Sequence, residues 1–330
     1  MEDAAPAAVA PPIAARPPKI VLAPDQPVVA AAQNALRQGL EGLRFYETAA
    51  LAGEVEAIHQ LRVATRRLRA LVELLSGVLH GSRVQVFRRD LPWVGQTAGA
   101  TRECDIIEQL IRKRSARLDS SLCESLAPVY EALSARRRNE HGNVAAMLAS
   151  RRYQTIVGRV ATAPVRKIPP TVAVRDLAPA MLRPIARGAK RAGAMLRPGC
   201  PPERLHRLRK RLKRLRYALE MMEELAGRHT RKAVNGLADL QDLLGLYNDV
   251  VVAIAWMHEY AADPAAPPHA LLAVGALIHS LHKRQRKLAD QSLKGWKRVD
   301  RDGIIQEALA EVARNAGARS QDQALAVGAA

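Results

Sequence analysis

The stretch VEAIHQLRVATRRLRALVEL, which begins at Val55, returns without a gap as PERLHRLRKRLKRLRYALEM from Pro202. His59 falls on His206, an offset of 147 residues, and charge and apolar positions repeat together. Arg62 matches Arg209, Arg66 matches Lys213, Arg67 matches Arg214, Arg69 matches Arg216 and Glu73 matches Glu220; Leu61 and Leu68 match Leu208 and Leu215. A chain that writes one amphipathic helix twice must bury the same apolar stripe twice, so the fold is expected to be internally duplicated. The echo extends upstream, where Arg44 matches Arg191, and downstream, where GATRECD from Gly99 resembles GLYND from Gly245 at an offset of 146.

From Val28 onward apolar residues recur at helical spacing, and no alternating strand pattern with hairpin turns interrupts them, which predicts an all-α fold. Breaks are expected at Gly53, at HGSR from His80, at RPGCPPE from Arg197 and at DPAAPP from Asp263. Gly99 and Gly245 are expected to stop one helix each, with Thr101 and Asn248 capping the next. The proline-rich segment 163–174 reads as a linker between a first half, 28–162, and a second half, 175–316. Residues 1–27, rich in Pro and Ala, read as a disordered arm without the features of a signal peptide, and 317–330 as a flexible tail. Nothing approaches the roughly 20 apolar residues a membrane span needs. Cys104, Cys123 and Cys200 are widely spaced and odd in number, which indicates neither disulfides nor zinc and fits a cytoplasmic protein.

Lys and Arg total 51 against 32 Asp and Glu, a net charge of +19, which calls for a polyanionic partner. Only 3% of residues are aromatic, so stacking of single-stranded bases is not expected. The cations are ordered: His59, Arg62, Arg66, Arg69 and Glu73 step by three and four and share one helical face, as do His206, Arg209, Lys213, Arg216 and Glu220. Each row lies about 100° around the helix from an apolar stripe. Like charges so spaced repel by roughly 0.2–0.5 kcal/mol per pair, and the arrangement occurs twice, which suggests an anion that relieves it. From His59 to Arg69 the row spans on the order of 15 Å at helical rise, enough to face several consecutive phosphates.

The paired segments HQLRVATRRLRALVE and HRLRKRLKRLRYALE, with GATRECD, GLYND and SRRYQTI from Ser150, resemble the signature of the CHAD family, the conserved histidine α-helical domain. The resemblance runs from about Val28 to Ala316; LKGWKRV from Leu293 only weakly echoes the SRRYQTI element. It implies two helical bundles related by a pseudo-twofold axis around a central basic cavity that binds inorganic polyphosphate, and association with polyphosphate granules. Carried over position by position, His59, Arg62, Arg66, Arg69, His206, Arg209, Lys213 and Arg216 would line that cavity. Arg44, Arg67, Arg191, Lys210 and Arg214 are secondary candidates, and Arg137, Lys283, Arg286 and Lys287, from later basic clusters, would form further walls. Val63 and Ala64 stand where the second copy has Lys210 and Arg211, so the second half is expected to carry more of the binding. The E-x-E-x-K strand of a triphosphate tunnel module is not matched, since Glu54 and Glu56 are followed by Ile58.

Three rival readings fit less well or stand as alternatives. A metal site at His279 and His282 lacks converging carboxylates or thiolates, and no cofactor is expected. Phosphoryl transfer would need acids to hold a metal on phosphate, and Glu103, Asp105, Asp242 and Asp249 read instead as helix-start or salt-bridging acids, so a binding module is favoured over an enzyme. Nonspecific nucleic-acid binding is the strongest alternative, because any basic helix can dock on a phosphate backbone.

Overall fold

A computed structural model describes Pro17 and residues 19–328, apart from the side chains of Arg83, Ala161 and 320–328. Twelve α-helices are present among the described residues, and no strand. The first half contains α1 (Val28–Arg44), α2 (Glu47–Leu51), α3 (Val55–Leu74), α4 (Gly81–Ser115), α5 (Ser120–Glu124), α6 (Ala127–Ala149) and α7 (Arg151–Ala161). The second contains α8 (Val174–Ala194), α9 (Pro202–Met221), α10 (Arg228–Ala261), α11 (Pro268–Arg301) and α12 (Ile304–Gly328). The two helices written by the repeat, α3 and α9, begin and end at matched positions and are each 20 residues long. Each runs into a single 3-10 turn, Leu75–Gly77 or Glu223–Leu225.

Packing follows the same order in both halves. In the first, α3 lies between α1 and α4, α6 covers α4 and α7 covers α1; in the second, α9 lies between α8 and α10, α11 covers α10 and α12 covers α8. The halves meet through α3 against α9 and α4 against α10, and their buried side chains form one continuous core. The starts of α1 and α8 lie side by side and satisfy each other's free donors: Val28 N–H donates to Val172 O at 2.9 Å and Val174 N–H to Gln26 O at 3.0 Å.

The structure departs from the sequence reading in three places. Gly99 and Gly245 stop nothing: α4 continues through Gly99 for 35 residues and α10 through Gly245 for 34. A helical glycine costs only about 1 kcal/mol, which packing along both flanks outweighs. Neither Thr101 nor Asn248 is a cap; Thr101 is buried inside α4 and Asn248 contacts His206. The expected arm is packed from Lys19 onward, and its residues 1–16 lie outside the described ones. Ile20 and Leu22 are buried, Leu22 N–H donates to Met221 O at 2.8 Å, and Asp25 accepts from Arg175 at 2.5 Å and Arg319 at 2.9 Å. The expected tail is helical as far as Gly328, since α12 carries on past Ala316.

Candidate functional site

Rotation of α3 and α9 about their own axes is set by their leucines. Leu61 and Leu68 on α3, and Leu208, Leu212 and Leu215 on α9, are fully buried. The charged faces beside them are thereby turned toward the seam where the two helices meet. His59, Arg62, Arg66, Arg69, Arg209, Lys213 and Arg216 are partly buried there, and His206 is exposed. On the α4 side the arginines pass two glycines at ordinary contact distance: a methyl at Gly95 would sit 3.8 Å from Arg69 Nη1, and one at Gly99 3.8 Å from Arg62 Cδ.

The two rows act on one another. Burial, then the charges of Arg66, Arg209 and Arg102, push the Arg62 guanidinium down to about 10. Burial, then Arg209, Arg66, Arg62 and Arg216, push the Lys213 ammonium down to about 6. Exchanging matched positions turns the neighbour pair Arg66 and Arg209 into Lys213 and Arg62, which is also present. Burial lowers Arg209 and Arg69 too, the latter helped by Arg214 and Arg66. Both histidines are lowered, chiefly by burial; His206 is partly restored by Asn248, 2.7 Å from its Nδ1, whereas His59 faces Arg102 among other cations.

Compensation is incomplete. The Nε atoms of Arg62 and Arg209 and the Nδ1 atom of His59 are buried without a hydrogen-bond partner, and Lys213 makes no hydrogen bond or ion pair among the described residues. Asp249 on α10 and Glu103 on α4 are the acids that temper Arg62 and Arg209, and burial raises the pKa of both carboxyls. Desolvated, mutually repelling cations are costly unless an anion joins them. Linkage makes the cost measurable. Lys213 titrates near 6 when folded and at 10.5 when free, so between those values the unfolded chain holds a proton the folded one has shed, and stability rises with pH. Lys213→Met is expected to flatten that rise and to raise the melting temperature of the free protein near neutrality. Thermal melts between about pH 6 and 9 check this, and parallel profiles for the two proteins would refute it.

Not every candidate reaches the seam on equal terms. Arg216 is also tied to Gln241 at 3.0 Å and Glu220 at 2.9 Å. Lys210 and Arg214 join Arg69 at one end, where Glu73 lies 3.2 Å from Arg88 and 4.0 Å from Arg214. The matched Arg67 is exposed and shares a small concavity with Lys19, Tyr217 and Glu220 instead. Arg44 faces a concavity of about 670 Å³ between α1 and α7, lined mainly by uncharged residues. Arg137 is held by Asp105 at 3.3 Å, which also pairs with Arg102. Arg191 is exposed on α8, and Lys283, Arg286 and Lys287 are exposed on α11. Arg102 was missed by sequence reasoning; its signal was its position, aligned with Asn248 at the 146 offset. Among the described residues no three of His, Cys, Asp or Glu converge as a metal ion requires, and no helix is long and apolar enough to cross a membrane.

Fold and site together define an all-α protein in which two basic helices, one from each half, meet at a seam of partly buried cations. The chain belongs to the CHAD domain family, whose model matches residues 34–258. It is similar to the CHAD domain from the plant Ricinus communis, whose crystal structure superposes with a TM-score of 0.69 at 24% identity over 86% of this chain and 96% of that one. It is also similar to PptA from Streptomyces chartreusis, with a TM-score of 0.65 at 19% identity over 84% of this chain and all of that one. Among curated proteins it is 26% identical over 246 residues to two uncharacterized proteins of Mycobacterium tuberculosis, from two strains. That match covers 69% of this chain and 45% of theirs, so the chain spans less than half the length of these relatives.

Proposed function

We propose that this protein binds inorganic polyphosphate along the seam between α3 and α9, without turning it over, and that this binding associates it with polyphosphate granules. The observation that carries the reading is the convergence of two cationic rows whose buried donors lack partners. A linear phosphate polymer supplies one acceptor group after another along such a line, and guanidinium groups engage each by paired hydrogen bonds. The seam lies between two packed helices and its cations are partly buried, which suits a thin chain better than a duplex. Glu103 and Asp249 act in this reading as counter-charges that keep the unliganded seam folded.

Calorimetric titration with long-chain polyphosphate is expected to show tight binding that weakens steeply with salt, and bound polymer is expected to raise the melting temperature. Duplex DNA added at equal phosphate concentration is expected to displace little of it. Equal displacement would favour nonspecific nucleic-acid binding instead.

A further inference from the structure

We propose that Lys213 is a modification site, capturing the acyl group of a small acyl phosphate whose phosphate is held by Arg62, Arg66 and Arg209, and that the resulting amide blocks the seam. The inference rests on the anion-binding reading of the same seam and adds a reaction to it.

Three observations meet at this residue. The amine is flanked by Arg62 and Arg66 from α3 and by Arg209 and Arg216 from α9, with Asp249 of α10 acting on the amine and Glu103 of α4 on Arg62 and Arg209 beside it. It is partly buried yet reachable, and no hydrogen bond or ion pair holds it among the described residues. Its environment also strips its proton, so that at neutral pH it is a free amine; Lys232 on α10 is exposed and stands outside the cluster. A nucleophilic amine among phosphate-binding guanidiniums is arranged to meet an electrophile that carries its own phosphate handle. Lys210, one turn earlier on α9, is exposed and serves as a near neighbour for comparison.

The chemistry balances without a further reagent. The Lys213 nitrogen lone pair attacks the acyl carbon and forms the C–N bond. The bond from that carbon to the phosphate oxygen breaks, and inorganic phosphate leaves with the electron pair. The surplus amine proton passes to the departing phosphate or to water. The product is an uncharged amide that can no longer become a cation when a polyanion arrives.

The test uses the whole chain, acetyl phosphate as probe and mass spectrometry to read each lysine over time at about pH 7.5. The deprotonated amine and the guanidiniums that hold the probe's phosphate outweigh the weaker nucleophilicity of a less basic amine, so Lys213 is expected to acetylate at least about tenfold faster than exposed Lys232. Tripolyphosphate is expected to protect Lys213 and leave Lys232 unaffected. Acetic anhydride, which has no phosphate, is expected to show a smaller preference, and Arg66→Gln with Arg209→Gln to reduce the acetyl phosphate preference toward that level. Acetylation of Lys213 no faster than Lys232 would overturn the proposal. Polyphosphate titration of the same sample separates the two readings. Tight binding with Lys213 unmodified defeats the acylation site alone; selective acetylation without polyphosphate binding supports the acylation site and defeats the polyphosphate reading.

Discussion

Arg62→Glu with Arg66→Glu, or Arg209→Glu with Lys213→Glu, is expected to weaken long-chain polyphosphate binding on the order of a thousandfold, whichever half carries the change. The size follows from two lost charge-assisted contacts, each about 1.5–3 kcal/mol, with repulsion added. Arg62 acts on Lys213 and Arg66 on Arg209, so either pair faces the same stretch of polymer. The four-residue reversal is therefore expected to cost little more than either pair alone, the signature of groups that share one ligand. Chains long enough to run on to Arg69, Lys210 and Arg214 are expected to gain affinity in the native protein and to lose that gain in both half-variants. Calorimetry across a polyphosphate length series measures this, with circular dichroism confirming helicity. Independent, additive losses with length dependence intact would mean two separate patches.

Much of this site was legible because helix period and repeat reinforce each other. The block that recurs marks the limits of α3 and α9, and the stepping of Arg62, Arg66 and Arg69 beside Leu61 and Leu68 shows which face is charged. That the two faces meet belongs to tertiary structure, and the sequence supplied it only through resemblance. Gly99 was misread for a related reason. Locally glycine argues for a helix end, but here α4 runs on through it because α3, α6 and α10 pack along the helix. Segment 19–27 was misread because proline excludes a helix without excluding a packed extended strap, and Leu22 finds its partner about two hundred residues away at Met221. Matched residues also diverge where their neighbours differ. Val63 and Ala64 occupy the positions of Lys210 and Arg211, so Arg69 gains a cationic neighbour in Lys210 that Arg216 does not gain from Val63.

Glu311→Ala is expected to be the most destabilising single change on the polar framework, at about 3–5 kcal/mol, because it strips a buried carboxylate from several donors at once. Glu311 on α12 is 7% exposed and accepts from the backbone N–H of Gly227 at 2.9 Å, His229 at 3.1 Å and Thr230 at 2.7 Å, and from Thr230 Oγ1 at 2.7 Å. These donors belong to the first turn of α10, which has no intrahelical acceptor for them, and the helix dipole favours a negative charge there. Gly227 is part of the arrangement: a methyl on it would lie 2.4 Å from Glu311 Oε1. The bonds from Thr230, His229 and Gly227 outweigh burial and hold the carboxyl down at about 2, against 4.5 when free. A carboxylate depressed in this way stabilises the fold above pH 4.5, and its contribution is lost as pH falls from there toward 2. Urea unfolding followed by circular dichroism at stepped pH should show the native protein losing stability through that window. Glu311→Ala should start lower and lack that part of the slope, while Glu311→Gln, which keeps the shape and one acceptor, should fall between. Since α10 carries Asn248 and Asp249 into the seam, the same variant is expected to weaken polyphosphate binding only as far as unfolding removes native protein. A loss below about 1 kcal/mol, or an unchanged acid slope, would show that α10 does not depend on Glu311.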